Sequence, residues 1–148
     1  MPPDTEALAG FLGGFVAGDG CFCITSNGRR FKFEVGLGAI DRGLCDLLQS
    51  FLGIGNVYES PRRTARNDDE VVFAVQSLAE LVDVVVPFMD AHLPPSYKRR
   101  QYLAWKERLL EYWEHRAKRV RPCTVDGCDE PRRAHGLCRL HLYERHHV

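Results

Sequence analysis

No stretch of this sequence approaches the ~20 consecutive apolar residues that a membrane-spanning helix needs. The longest candidate, Leu81 to Met89, is broken by Asp83 and Pro87. The first residues, Met1-Pro2-Pro3-Asp4, do not supply a basic segment followed by an apolar core. Secretion and membrane insertion are therefore not expected, and the expected location is cytoplasmic. Net charge is lacking as well: Lys plus Arg and Asp plus Glu each number 20, so the total points to no partner. Internal repeats are missing, and 45% hydrophobic with 27% charged residues in 148 excludes a disordered or collagen-like chain.

What is present is unevenly spread. Up to Ser96 there are seven Lys or Arg residues against thirteen Asp or Glu, and from Tyr97 onward thirteen against seven, with five of the six His. The C-terminal third is thus the part suited to a polyanion. The six Cys fall into two sets. Cys21, Cys23 and Cys45 stand among apolar residues and read as small core or half-buried side chains. Cys123, Cys128 and Cys138 crowd into a short terminal stretch, where an unsecreted chain is expected to bind metal rather than form disulfides.

Periodicity predicts alternating helices and hairpins. Thr5 to Gly18 carries Leu8, Phe11, Leu12, Phe15 and Val16 at helical spacing, behind a start signal of Pro2, Pro3 and Asp4. Cys21 to Ser26 alternates, Asn27-Gly28 is a two-residue hairpin signal, and Phe31, Phe33, Val35 and Leu37 repeat with period two. Asp41 is placed to cap a second helix with the apolar stripe Leu44, Leu47, Leu48 and Phe51, ended by Gly53. Strands are expected at Asn56 to Ser60 and Val71 to Gln76, with an exposed loop between them. Ser77 and Glu80 then form a capping box opening a helix through Val86. Ser96 caps a long last helix with Tyr102, Leu103, Trp105, Leu109, Leu110 and Trp113 as its apolar side. The order is α-β-β-α-β-β-α-α, followed by a cysteine-rich module. The domains expected are 1–117, a basic linker 118–122, and 123–148.

The first helix contains Gly10, Gly13, Gly14 and Gly18, each costing roughly 1 kcal/mol relative to Ala. The small residues fall in two rows at spacing four, Ala9-Gly13-Ala17 and Gly10-Gly14-Gly18, and such rows let another helix backbone approach closely. Asp19 follows directly, flanked by Gly18 and Gly20. A carboxylate there opposes the negative end of the helix dipole unless a cation sits nearby. Two copies packed side by side would bring two such carboxylates together, and these would take a divalent cation. An ordinary Asp-Gly turn after a glycine-rich helix end is the other reading of these residues.

Leu12-Gly13-Gly14-Phe15-Val16-Ala17-Gly18-Asp19-Gly20 resembles the signature of the LAGLIDADG homing endonuclease family. Cys21-Phe22-Cys23-Ile24, Leu52-Gly53-Ile54-Gly55-Asn56-Val57 and Lys98-Arg99-Arg100-Gln101-Tyr102 through Trp105-Lys106 are similar to the family in order and spacing. The resemblance spans about Ala7 to Glu114. It implies an α+β fold, an αββαββα core with a curved antiparallel sheet laid in the DNA major groove. It also implies a homodimer packed through the motif helices, here Gly10, Gly13, Gly14 and Ala17, and cleavage of both DNA strands with Mg²⁺. On this correspondence Asp19 is the catalytic metal ligand, with the Gly18 carbonyl as a second contact. Lys98 lies near the scissile phosphate, and Arg99 and Arg100 contact phosphates. One departure is notable: many members carry a polar residue near the end of the second strand, whereas Gly36-Leu37-Gly38-Ala39-Ile40 offers none, leaving Arg42 or solvent as a substitute.

Residues opposite an apolar strand face must point outward. These are Thr25, Arg30, Lys32 and Glu34 on the hairpin and Asn56, Tyr58, Ser60 and Gln76 on the later strands, with Arg62, Arg63 and Arg66 on the loop. Arg and Lys can read guanine edges or phosphates, and Asn and Gln adenine. A merely solvated role is the alternative for each.

Cys123-x4-Cys128 and Cys138-x2-His141 offer four ligands in two close pairs, a spacing suited to structural Zn²⁺. His135, His146 and His147 are alternatives to His141. The stretch holds few large apolar residues, so metal would supply most of its folding energy. Its basic residues suit an additional DNA clamp. The function expected is a homodimeric, site-specific double-strand DNA endonuclease. A non-cleaving DNA-binding regulator or intron RNA maturase of the same fold is the alternative, and a small zinc-dependent RNA-binding protein explains only the tail.

Overall fold

The strand signals become β1 (Gly20–Thr25), β2 (Arg30–Gly38), β3 (Asn56–Ser60) and β4 (Glu70–Val75), joined in an antiparallel sheet of order β1-β2-β4-β3. The computed structural model describes residues 4–60, 69–119 and 121–147, so Arg62, Arg63 and Arg66 lie outside the described residues. Helices α1 (Asp4–Asp19), α2 (Arg42–Leu52), α3 (Leu78–Glu80), α4 (Val86–His92), α5 (Tyr97–Arg119) and α6 (Arg139–His147) complete an α+β architecture. No described helix is long and apolar enough to cross a membrane. By its contacts the chain divides into Met1–Leu110 and Glu111–Val148. That division falls inside α5, ahead of the linker expected at 118–122.

The first unit is built on one buried face of the sheet. Phe31, Phe33 and Val35 of β2 alternate inward with Val71, Phe73 and Val75 of β4, and all six are buried together with Leu12, Val16, Leu48, Leu81, Met89, Tyr102 and Leu109. Burying each such aliphatic or aromatic side chain contributes about 1.5–3 kcal/mol. Phe22 of β1 links sheet to helix, its ring centroid 5.1 Å from Tyr102 and 5.0 Å from Trp105 of α5. Trp105 Nε1 donates to the Cys23 carbonyl at 3.0 Å. Tyr102 Oη donates to Asp90 Oδ1 at 2.7 Å, and Lys106 reaches the other oxygen at 2.7 Å. Desolvation would raise the Asp90 carboxyl, but these two partners hold it below the usual carboxylate range.

Several expectations need local correction. The hairpin turns through Asn27-Gly28, but its loop has four residues, 26–29, instead of the two expected: the ladder ends at Thr25 opposite Arg30, and Ser26 also takes a positive φ (55°). Asp41 stands before α2 yet its side chain makes no capping bond, because a 3₁₀ turn, Ala39–Asp41, leads into the helix instead. Gly53 does end α2, in the left-handed region at φ 71°. Ser77 accepts from the Glu80 N–H at 3.4 Å. The helix it opens does not stop at Val86: a π-helical turn, Leu81–Val85, carries it on through α4 to His92. Pro87 has no N–H and its ring crowds the preceding turn, which a widened turn relieves. On α5 the buried side is Tyr102, Trp105 and Leu109, while Leu103, off that row, is 46% exposed. Cys45 is buried, but Cys21 is exposed.

Candidate nucleic-acid interface and metal centre

At the end of α1 the chain passes into β1 with no intervening loop. Gly20 makes this joint: a Cβ there would stand 2.6 Å from Val16 Cγ1 and 2.7 Å from the Val16 carbonyl oxygen. Asp19 consequently projects into solvent at the negative end of the helix. The last turn of α1 contains no basic residue, and among the described residues none forms an ion pair with Asp19. Among the described residues no side chain relieves its position against the dipole, and a bound cation would.

The two glycine rows of α1 separate in space. Gly13 is buried, and a Cβ on it would overlap the His92 carbonyl at the end of α4. The close approach expected of Gly13 in a dimer is thus made within the chain, and Gly13 leaves that set. Ala17 is half-buried. Gly10, Gly14 and Gly18 are exposed with nothing within 4 Å of an added Cβ, and Phe11 nearby is 52% exposed.

The sheet's outward face carries the residues that alternation assigned to it. Register sets Cys21 opposite Glu34, Cys23 opposite Lys32 and Thr25 opposite Arg30, and across the sheet Asn56 opposite Ala74, Tyr58 opposite Val72 and Ser60 opposite Glu70. Gln76 follows β4, exposed. A groove of about 460 Å³ runs over this face, lined by Cys21, Lys32, Glu34, Gly36, Tyr58, Ser60, Glu70 and Val72. Lys32 pairs with Glu34 at 3.0 Å, which raises the lysine's proton affinity. Glu70 is new to this set, because β4 begins one residue before the apolar run that announces it. Its Oε1 occupies the space over Gly36, 2.6 Å from where a Cβ would stand, so a carboxylate covers the end of β2 that lacks a polar side chain of its own. Arg42, the expected substitute, is held by Glu59 at 2.6 Å and Asp46 at 3.6 Å.

At the start of α5, Ser96 Oγ accepts from the Arg99 N–H at 3.1 Å and fixes the first turn. Lys98 is half-buried, one helical turn before Tyr102, and makes no ion pair among the described residues. Arg100 is exposed, its guanidinium 5.6 Å from the Tyr97 ring centroid. Arg99 departs from expectation. Its guanidinium donates to the carbonyls of Leu93, Met89 and Asp90, at the end of α4. A cation there satisfies orphan carbonyls and complements the dipole, so Arg99 holds the fold instead of reaching for a phosphate.

The second unit gathers Cys123, Cys128, Cys138 and His141, whose ligand atoms all lie within 4.8 Å of one another. His141 Nδ1 is 3.3 Å from Cys123 Sγ and 3.2 Å from Cys138 Sγ, and Cys128 Sγ is 3.9 Å from Cys138 Sγ. Tetrahedral zinc, with Zn–S near 2.3 Å and Zn–N near 2.0–2.1 Å, has ligand-to-ligand edges of about 3.5–3.8 Å. The donor set fits that ion. Left-handed turns at Gly127 (φ 79°) and Gly136 (φ 77°) bring the pairs together, and Cys138 opens α6 with His141 in its first turn. Desolvation would raise the Cys123 thiol, but backbone bonds at Val125 and Cys138 and the bond to His141 bring it down to about 6. His135 and His146 are exposed and outside the cluster, and the His147 side chain is outside the described set. Arg121, Arg132, Arg133 and Arg139 are exposed.

The profile of the LAGLIDADG endonuclease family matches residues 12–109. In fold the chain is similar to the meganuclease I-SmaMI bound to uncleavable DNA, with a TM-score of 0.62 and 22% identity over 73% of this chain and 38% of that one. It is similar to the homing endonuclease I-TnaI, with a TM-score of 0.62 and 20% identity over 72% of this chain and 74% of that one. It is also similar to the I-LtrWI LAGLIDADG homing endonuclease bound to target DNA, with a TM-score of 0.56 and 21% identity over 73% and 37% of the two chains. This chain therefore spans well under half the length of I-SmaMI and I-LtrWI and about three quarters of I-TnaI. No curated protein matches it.

Proposed function

The chain belongs to the LAGLIDADG endonuclease family, and from that membership we propose that it is a homodimeric, site-specific endonuclease hydrolysing both strands of double-stranded DNA at a pseudo-palindromic site. The observation that carries this reading is Asp19, an exposed carboxylate with no ion pair among the described residues, at the foot of a helix whose Gly10, Gly14 and Gly18 ridge is open. A second copy packed along that ridge brings two Asp19 carboxylates together, and a two-fold protein matches a two-fold site. Like charges so placed call for a divalent cation.

In this reading Asp19 and the Gly18 carbonyl hold Mg²⁺. When bound, the ion supplies charge stabilisation at the phosphate and an activated water. Asp19 orients and does not abstract a proton. Lys98 offers a fixed ammonium for the charge that develops on the phosphate oxygens. Arg30, Lys32, Arg62, Arg63, Arg66 and Arg100 supply phosphate contacts or guanine readout. Thr25, Glu34, Asn56, Tyr58, Ser60 and Gln76 complete the base-reading surface. The Cys3His cluster is a closed four-ligand site, and zinc there is structural, folding a basic module that extends the DNA footprint.

The test is a cleavage selection from a randomised DNA library with Mg²⁺, the natural chain beside Asp19→Asn. A two-fold symmetric cut site recovered with the natural chain alone is the expected result. Enrichment by binding without cut ends would favour a non-cleaving regulator or intron RNA maturase.

A further inference from the structure

A second cluster of soft donors lies on the sheet of the first unit. Cys21 and Cys23 are two apart on β1, so both point to the outward face, and the cross-strand neighbour of Cys21 is Glu34 of β2. The two Sγ atoms are 3.1 Å apart, and both lie within 4.8 Å of a Glu34 carboxylate oxygen. Two thiols and a carboxylate that converge from adjacent strands, with Cys21 exposed and the other two half-buried, leave one side open to solvent. From this geometry we infer a metal site: Cys21, Cys23 and Glu34 bind a zinc-like divalent cation, with water in the fourth position.

The donor chemistry selects the ion. Thiolates favour zinc and softer metals over Mg²⁺ or Ca²⁺, which take oxygen ligands. A disulfide fits less well, because residues two apart on a strand have Cα atoms about 6.6–6.8 Å apart, at the upper limit of disulfide geometry. The only rearrangement needed is modest: the sulfurs spread from 3.1 Å toward the roughly 3.8 Å edge of a tetrahedron, and Glu34 turns from Lys32, which it meets at 3.0 Å. Binding therefore frees Lys32 in the groove that Tyr58 and Glu70 also line. Any effect of this on DNA rests on the nuclease reading, whereas the site itself does not.

The experiment is a zinc count on the full reduced chain, by competition with a chromophoric chelator, comparing the natural sequence with Cys21→Ser/Cys23→Ser. The natural chain is expected to hold one zinc more than the double variant, whatever the C-terminal cluster holds. Cobalt substitution should show the matching loss of sulfur-to-metal charge-transfer absorption. Glu34→Gln, which keeps both sulfurs, is expected to bind the extra ion more weakly with unchanged circular dichroism. Equal zinc counts in the natural chain and the double variant would overturn the site, as would an extra ion indifferent to Glu34→Gln.

Discussion

Gly13 lies against the backbone carbonyl of His92 so closely that a Cβ would overlap the oxygen. Helices α1 and α4 thus meet backbone to backbone. Gly13→Ala is expected to lower Tm, because overpacking costs about 1–3 kcal/mol and outweighs the roughly 1 kcal/mol of helix propensity that alanine returns. Thermal melts beside Gly10→Ala, whose site is open, provide the check. A Gly13→Ala chain as stable as the natural one would show that α1 can shift away from α4.

Gly14→Leu tests the open ridge. The added side chain meets nothing within its own chain at the Cβ, so folding should survive. Close approach of a second copy should not, and sedimentation is expected to find a dimer for the natural chain and a monomer for the variant. A dimer in the variant would refute this packing.

The bonds to Asp90 predict a pH dependence. A carboxyl held below its unfolded value of 3.8 contributes stability that is fully present above that pH and lost as pH falls through the folded value. Asp90→Asn should therefore be less stable than the natural chain at neutral pH, with the gap closing below about pH 4. A gap that stays constant under acid would mean that the Tyr102 and Lys106 bonds do not depend on the charge.

Removal of metal should act on the C-terminal unit. Its buried apolar side chains are sparse, so chelation is expected to melt α6 and expose three reactive thiols while the sheet unit keeps its near-ultraviolet signal. Thiol labelling with and without chelator in the Cys21→Ser/Cys23→Ser background, which leaves the C-terminal cluster intact, reads this directly. Labelling that is indifferent to the chelator would exclude a metal-held fold there.

Arg132 and Arg133 are exposed beside that cluster. If the module grips phosphates, Arg132→Gln/Arg133→Gln should weaken DNA binding across sequences and reduce the salt slope by about one for each phosphate no longer neutralised. An unchanged slope would leave the module a stabilising cap.

The sequence was most legible where one period governs. The alternation of Phe31, Phe33 and Val35 has a single solution as a half-buried strand, and Asn56 to Ser60 is a strand at the bounds its residues suggest. It was least legible where two local patterns are equivalent. The rows through Gly13 and Gly14 both consist of small residues at the same spacing, and only the path of α4 decides which is inward. In Lys98-Arg99-Arg100 the three charges read as one basic run, yet each helical step turns the side chain by about 100°, and Arg99 alone falls over the end of α4. Glu70 gave no signal because strands announce themselves through apolar residues, and a charged first residue adds nothing to that pattern. The continuation past Pro87 was hidden because proline ordinarily ends a helix, and a π turn is a tertiary solution with no local signature.

The bond from Trp105 Nε1 to the Cys23 carbonyl has a consequence beyond the fold's own stability. β1 is an outer strand of the sheet, and an uncovered outer strand is a template for pairing with other chains. The same helix that presents Lys98 thus also shields that border. Changes that loosen it, such as Trp105→Ala, should show themselves first as turbidity in concentrated solution, before the circular dichroism of the folded chain is lost.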